Sequence, residues 1–217
     1  MAGHAAYARG MSDLHCPATL LVTRHGDAEY GHPARLSDEG GWLSDRGREQ
    51  VRALAESLRE RNVGRVVTST MQRAVESGAV AAEVLGVGVL ELDGLQEFSV
   101  GALEGRPFDD PELASVYKAW RHGDLGRFIP GGESGLDVMT RYREALQYVA
   151  DLHRGETVLV FTHGGVMSFV LPRLTVPVRE DLVGRGFLPN CEPAEVEVDG
   201  DGFRVLAWPG PPDRAVV

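Results

Sequence analysis

Lysine is almost absent from this sequence: Lys118 is the sole lysine among 22 basic residues, and the rest are arginine. Those 22 face 32 acidic residues, for a formal net charge of −10. So acidic a chain lacks the electrostatic footprint of a general nucleic-acid or anionic-membrane binder. An anionic small substrate stays compatible, because a few Arg and His side chains can invert the field inside one pocket. Cysteine is scarce too. Cys16 and Cys191, the only two, form neither a metal-binding spacing nor a disulfide framework, and unpaired thiols suit a reducing compartment. No apolar run is long enough to cross a membrane, and residues 1–18 lack the apolar core of a secretory signal. A cytoplasmic location, with no nucleic-acid or membrane partner, is therefore expected. No internal repeat and no low-complexity segment occurs.

What remains is an ordinary globular composition over 217 residues, ample for one domain with a three-layer core. The expected division is a flexible N-terminal extension over 1–18 (with Met11 an alternative start), one domain over 19–208 and a flexible tail over 209–217. A homodimer is left open. Short apolar runs rich in β-formers predict strands at 19–23, 66–68, 89–92 and 157–160. Helices are expected over 44–61, with Val51, Leu54 and Leu58 buried, over 72–85 and over 111–122. Another starts at Ser134 and reaches about residue 152, with Leu136, Met139, Tyr142, Leu146 and Val149 facing inward. A helix from Gly165 should bend or stop at Pro172. Residues 194–198 and 203–207 read as a hairpin around Asp199-Gly200-Asp201-Gly202. Alternating strands and helices followed by a hairpin predict an α/β fold: a three-layer αβα sandwich, its central sheet mostly parallel with a C-terminal antiparallel hairpin.

The chemistry sits at strand ends. Arg24-His25-Gly26 closes the first strand. Ser69-Thr70-Met71-Gln72-Arg73-Ala74 follows the second and opens a helix. Leu95 to Gly105, with Glu97 and Glu104, follows the third. Thr162-His163-Gly164-Gly165 closes the most apolar one. A parallel sheet gathers such positions on one edge, where α/β folds hold ligands. The second Arg-His-Gly, Arg121 to Gly123, has no strand before it and reads as coincidence. The Asp and Glu residues near these segments make no familiar metal-ligand spacing.

Arginine forks onto two phosphoryl oxygens and is always charged, so Arg24 and Arg73 suit a phosphate clamp. A neutral imidazole can attack phosphorus, a role suited to His25. Gly26 would remove bulk where phosphate approaches. His163, preferably protonated, would add a donor, with Gly164 and the following helix amides also facing the anion. Glu97 suits the general acid that protonates the leaving oxygen, given a pKa raised by burial. Glu104 reads as a residue that holds loop structure. His4, His15, His32, His122 and His153 read as solvated, and Asn190-Cys191 as a turn or a pocket element. Tyr30, His32, Arg35, Trp42, Arg106, Arg121 and Arg127 are candidates to line the mouth, from segments 27–42 and 106–130.

Together these segments resemble the histidine phosphatase superfamily, in its phosphoglycerate-mutase-like branch. Matching positions include Arg24, His25 and Gly26; Leu43, Ser44 and Gly47; Ser69, Arg73, Ala74 and Ser77; and every defined position of Leu-x-Glu-x-x-x-Gly-x-x-Glu-Gly from Leu95 to Gly105. Pro130-Gly-Gly-Glu-Ser134 and His163-Gly164-Gly165 complete the set, in the family's order. The resemblance implies a metal-independent, cofactor-free phosphomonoesterase that passes through phosphohistidine and acts on a small phosphorylated metabolite. Phosphoglycerate mutase and phosphohistidine or phosphoprotein phosphatase are the alternatives. The family often places Ser/Thr and Asn where this chain has Ala28 and Gly31, and the mutases carry a long basic insertion that is missing here. Both departures favour a phosphatase.

Overall fold

The computed structural model describes residues 16–32, 34–183 and 188–210. The expected N-terminal extension and tail fall largely outside them. Among the described residues, eight strands and five α-helices carry the fold. In chain order they are β1 (Ala18–Arg24), β2 (Ala28–Glu29), β3 (Trp42–Leu43), α1 (Asp45–Ser57), β4 (Val63–Thr68), α2 (Gln72–Leu85), β5 (Val89–Glu91), α3 (Pro111–Arg121), α4 (Gly135–Leu152), β6 (Thr157–Thr162), α5 (Gly164–Leu174), β7 (Ala194–Asp199) and β8 (Gly202–Ala207). Short 3-10 turns at Arg59–Arg61 and Gly101–Leu103 add to them.

The main sheet runs β5-β4-β6-β1-β7-β8. Its first four strands are mutually parallel. The last two return antiparallel as the expected hairpin, Asp199 opposite Gly202. Side chains alternate across a strand, so each central strand feeds two cores. Leu20, Val22, Val158 and Val160 pack with Val138 and Tyr142 of α4 and Val166 of α5. Leu21, Val66, Leu159 and Phe161 pack on the other face with Val51 and Leu54 of α1 and Ala74 of α2. The α/β sandwich is therefore as the pattern predicts. Among the described residues no helix is long and apolar enough to cross a membrane.

Several boundaries differ from the sequence expectation. Ala18 already belongs to β1 and is buried. The Ser44 hydroxyl caps α1 by accepting the Gly47 N–H, but the helix ends at Ser57 and gives way to the 3-10 turn, with Asn62 left-handed at φ 50°. Pro172 does not stop α5, which runs on to Leu174. A proline so near the C-terminus interrupts only the last turn. Ser134 caps α4 through a full capping box with Asp137. Leu136 does not face inward; it is 57% exposed. The buried stripe runs through Val138, Tyr142, Ala145, Leu146 and Val149, and Leu136 lies about 200° around the helix from Val138.

One close approach fixes how α1 meets β1. A Cβ on Gly26 would stand 2.7 Å from the Gly47 carbonyl oxygen, and one on Gly47 would stand 2.1 Å from the Asp27 carbonyl oxygen. Gly26 is thus needed for helix packing, whatever else approaches it. A methyl at Gly47 meets backbone, which cannot turn aside. Such overpacking costs about 1–3 kcal/mol or more, against a gain of about 1 kcal/mol from replacing a helical glycine. Gly47→Ala is accordingly expected to lower Tm by several degrees in a thermal melt. Gly126→Ala, whose Cβ meets nothing within 4 Å, should leave it within about a degree.

Candidate active site

The parallel pairing of β1 with β6 sets Arg24 beside Thr162, and the His25 N–H donates to the Thr162 carbonyl at 3.0 Å. His25 and His163 thus leave adjacent strands side by side, their ring centroids 5.3 Å apart. Both are buried. His25 Nδ1 lies 2.7 Å from its neighbour's carbonyl, that of Gly26. A carbonyl only accepts, so Nδ1 carries the hydrogen and Nε2 keeps its lone pair. Burial, then Arg73 and Arg24, lower the His25 pKa to about 3.

Arg73 is the second residue of α2, a poor place for a cation. Its side chain is buried and turns into the site. Nε donates to His25 Nε2 at 3.2 Å, and Nη1 to the Gly40 carbonyl at 2.9 Å. Tyr30 lies against the guanidinium at 5.6 Å. Arg24 ends β1 and donates to the Leu188 carbonyl at 3.2 Å. A Cβ on Gly164 would crowd its side chain at 3.1 Å.

His163 Nε2 is 2.8 Å from the Ser69 hydroxyl, which also accepts the Met71 N–H. Nδ1 of His163 is buried with no hydrogen-bond partner among the described residues. Burial first, then Arg73 and His25, hold its pKa well below the usual value. The expectation of a protonated His163 therefore does not hold for the ligand-free site: burial and four cationic or ionisable neighbours, Arg73, His25, Arg24 and Arg141, all oppose the charge.

Glu97 follows β5 on a loop. Its carboxylate accepts the Gly165 N–H at 2.8 Å and the Phe98 N–H at 3.2 Å. A Cβ on Gly165 would stand 2.8 Å from both carboxylate oxygens. Gly165 thus makes room for the Glu97 carboxyl, and its amide is directed at Glu97 instead of outward. Burial pushes the Glu97 pKa up, against those N–H groups and Arg73.

Sequence reasoning missed the residues that hold this loop. Arg141, on α4, donates to the carbonyls of Gly94, Gln96 and Glu97 and forks onto Glu133. Glu133 in turn accepts the Ser99 N–H, and Asp38 accepts the Ser99 hydroxyl and the Val100 N–H. The Pro-Gly-Gly-Glu-Ser segment was the available signal for Glu133; nothing in the sequence ties Arg141 to residue 97. Asn190 also belongs to the site, its amide donating to the His25 carbonyl at 2.6 Å. Cys191 beside it is left-handed at φ 57°, and burial pushes its thiol up to about 12.

Of the proposed mouth residues, Tyr30 meets the site through Arg73. Arg35 is bonded to the Gly105 carbonyl, Arg106 is paired with Asp110 and Glu112, and Arg127 reaches Ser115. His32 is exposed; His122 caps the end of α3, bonded to its own helix. His153 pairs with Glu156. His4 and His15 lie outside the described residues. Glu104 holds loop structure as expected, accepting the Asp38 N–H. Among the described residues no group of three or more His, Cys, Asp or Glu side chains is placed to hold a metal ion.

Comparison with known proteins gives the chain's family. The chain is 31% identical over 201 residues to phosphoglycerate mutase-like protein 4 of Arabidopsis thaliana, covering 88% of this chain and 84% of that one. It is 37% identical over 193 residues to bifunctional protein Rv2228c of Mycobacterium tuberculosis, covering 86% of this chain but 52% of that relative, about half its length. Among solved structures, Bacillus stearothermophilus YhfR superposes with TM-score 0.72 at 25% identity, covering 92% and 98% of the two chains. The mycobacterial glucosyl-3-phosphoglycerate phosphatase Rv2419c does so with TM-score 0.72 at 24% identity, covering 90% and 100%, a likeness of fold. Residues 20–209, which carry the histidines, arginines and Glu97 described above, match the family model for branch 1 of the histidine phosphatase superfamily, and the chain belongs to that superfamily.

Proposed function

We propose that this protein is a metal-independent phosphomonoesterase that works through a phosphohistidine on His25. The observation that carries the reading is the His25 ring. Its Nδ1–H is fixed on the Gly26 carbonyl, and its Nε2 lone pair faces the Arg73 guanidinium at 3.2 Å. An incoming phosphoryl group takes over that donor. Arg24 and Arg73 then hold the equatorial oxygens, where charge is spread in the transition state. His163 contributes without protonation: with the Ser69 hydroxyl donating to Nε2, its otherwise unpartnered Nδ1–H is the donor for a phosphoryl oxygen. Gly164 lets Arg24 pack close beside it.

In the first step His25 Nε2 attacks phosphorus, the N–P bond forms and the P–O bond to the alcohol breaks. Glu97, kept protonated by its raised pKa, gives its proton to the leaving oxygen. In the second step Glu97 takes a proton from water, water oxygen bonds to phosphorus, and the N–P bond breaks to release phosphate. The substrate is a small phosphorylated metabolite. A phosphoglycerate mutase would instead return the phosphoryl group to a second oxygen and depend on a bisphosphate primer. A phosphohistidine or phosphoprotein phosphatase would need a macromolecular docking face.

Phosphate release from an aryl phosphate in EDTA is expected to match that without chelator, and to vanish in His25→Ala. Retained release in the variant removes the phosphohistidine route. Activity needs His25 neutral and Glu97 protonated together. His25 loses its proton above about 3 and Glu97 holds its proton above the usual carboxylate range, so the pH profile is a bell on the acidic side of neutral. A rate still climbing above pH 9 would contradict the acid assignment. Glu97→Gln should slow an alkyl phosphate by about 10²–10⁴, but a nitrophenyl phosphate far less, since nitrophenolate leaves without a proton. Arg141→Ala frees the loop around Glu97. A tenfold or larger fall in kcat on alkyl phosphates is expected, again with a smaller effect on the nitrophenyl ester; equal losses on both would mean that Arg141 serves stability alone.

A further inference from the structure

Beside Glu97 lies an open cleft of about 280 Å3 whose lining includes Asp38, Gln96, Ser99, Glu133 and Arg141. On the phosphatase reading, on which the inference rests, Glu97 protonates the leaving oxygen, so the alcohol part of the substrate occupies this cleft. We propose that it takes an uncharged, hydroxyl-bearing alcohol of the sugar or polyol class and discriminates against a leaving group that carries a carboxylate.

The charges decide this. Among the described residues Arg141 is the one cation of the lining. A guanidinium has five N–H donors, and Arg141 makes five hydrogen bonds: two to Glu133 and one each to the Gly94, Gln96 and Glu97 carbonyls. It has no donor left for a substrate anion unless the loop that carries Glu97 comes apart. Arg24 and Arg73 are engaged by the phosphoryl group itself. The remaining ionisable lining is Asp38, Glu97 and Glu133, and Glu104 is bonded to the Asp38 backbone. Glu97 is protonated on this reading and Glu133 is neutralised by Arg141, so a substrate carboxylate would meet the charge of Asp38 with no cation free to partner it among the described lining. A hydroxyl would meet acceptors. A carboxylate offers about four lone-pair sites, and Asp38 uses two of them, on the Val100 N–H and the Ser99 hydroxyl.

A matched pair tests the inference. Glycerol 3-phosphate and 3-phosphoglycerate differ only in a terminal CH2OH against a carboxylate. Each is measured as a substrate by phosphate release from the wild-type protein, and as a ligand by calorimetry on His25→Ala, where no turnover is needed. The expected result is at least a tenfold preference for the polyol ester in both measurements. The preference should narrow as ionic strength rises, because charge and not size sets it, and in Asp38→Asn, with a thermal melt to establish that the variant is folded. Equal binding of the two, tighter binding of the carboxylate, or a preference insensitive to salt overturns the proposal. The phosphatase reading fails separately, if wild type releases no phosphate from an aryl ester or if His25→Ala releases it equally well. Binding to the variant decides the selectivity of the cleft in either case.

Discussion

The register between β1 and β6 is the constraint on which the site depends. Arg24 sits opposite Thr162, and the ladder continues for one more bond, from His25 N–H to the Thr162 carbonyl. That bond brings two histidines, distant in sequence, to 5.3 Å. A slip by one residue would turn every β1 side chain to the other face, sending Leu20 and Leu21 into the wrong cores and His25 away from Arg73. The buried alternation of both strands excludes the slip, since Leu20 and Val22 belong to one core and Leu21 to the other. The same hydrophobic pattern that stabilises the sheet therefore sets the spacing of the reactive groups. Glycine completes the constraint. Without the contact between Gly26 and Gly47, α1 could not lie against the turn that carries His25.

Around this frame the loop that carries Glu97 is held by polar contacts as well as by Leu95 and Phe98, which pack into the core. Residues 94–99 form no strand or helix, so their backbone groups need partners elsewhere. Arg141 satisfies three carbonyls, and Glu133 neutralises the guanidinium and takes the Ser99 N–H. An arginine is suited to this because its planar fork fixes several bonds at once. The network is anchored on α4, whose adjoining face lies in the core. Glu97 thereby rides on the rigid part of the domain even though its own segment is irregular.

Much of this was legible in the sequence. Strand ends carrying Arg24, His25, Arg73, Glu97 and His163 could be read because local signals, a short apolar run followed by polar residues, decide where strands stop. Parallel topology then implies one shared edge. What could not be read depends on contacts between distant residues. Arg141 is separated from Gln96 by 45 positions, and a mid-helix arginine gives no hint that it faces a loop. Leu136 was misplaced because a run of apolar residues near a helix start fits more than one stripe. The packing role of Gly26 was not read because its close neighbour, the backbone of α1 at Gly47, is distant in sequence. The lowered pKa of His163 in the ligand-free site could not be read because burial and the charges that surround a side chain are properties of the fold.

The depressed pKa of His25 has its sense on the phosphohistidine reading. A nucleophilic imidazole must be neutral, yet it has to receive a dianion, which favours protonation of any nearby base. An adjacent opposite charge raises a histidine pKa by about 1–3 pH units. Starting from the ordinary value, such a rise would leave the ring cationic and unreactive at neutral pH. Starting from about 3, the same rise leaves it largely neutral. Glu97 is biased in the complementary direction: burial already favours its protonated form against the Gly165 N–H, and the arriving negative charge favours it further. Burial and two arginines thus prepare the nucleophile for the charge it will meet, and substrate binding moves the proton preference toward the acid that needs it.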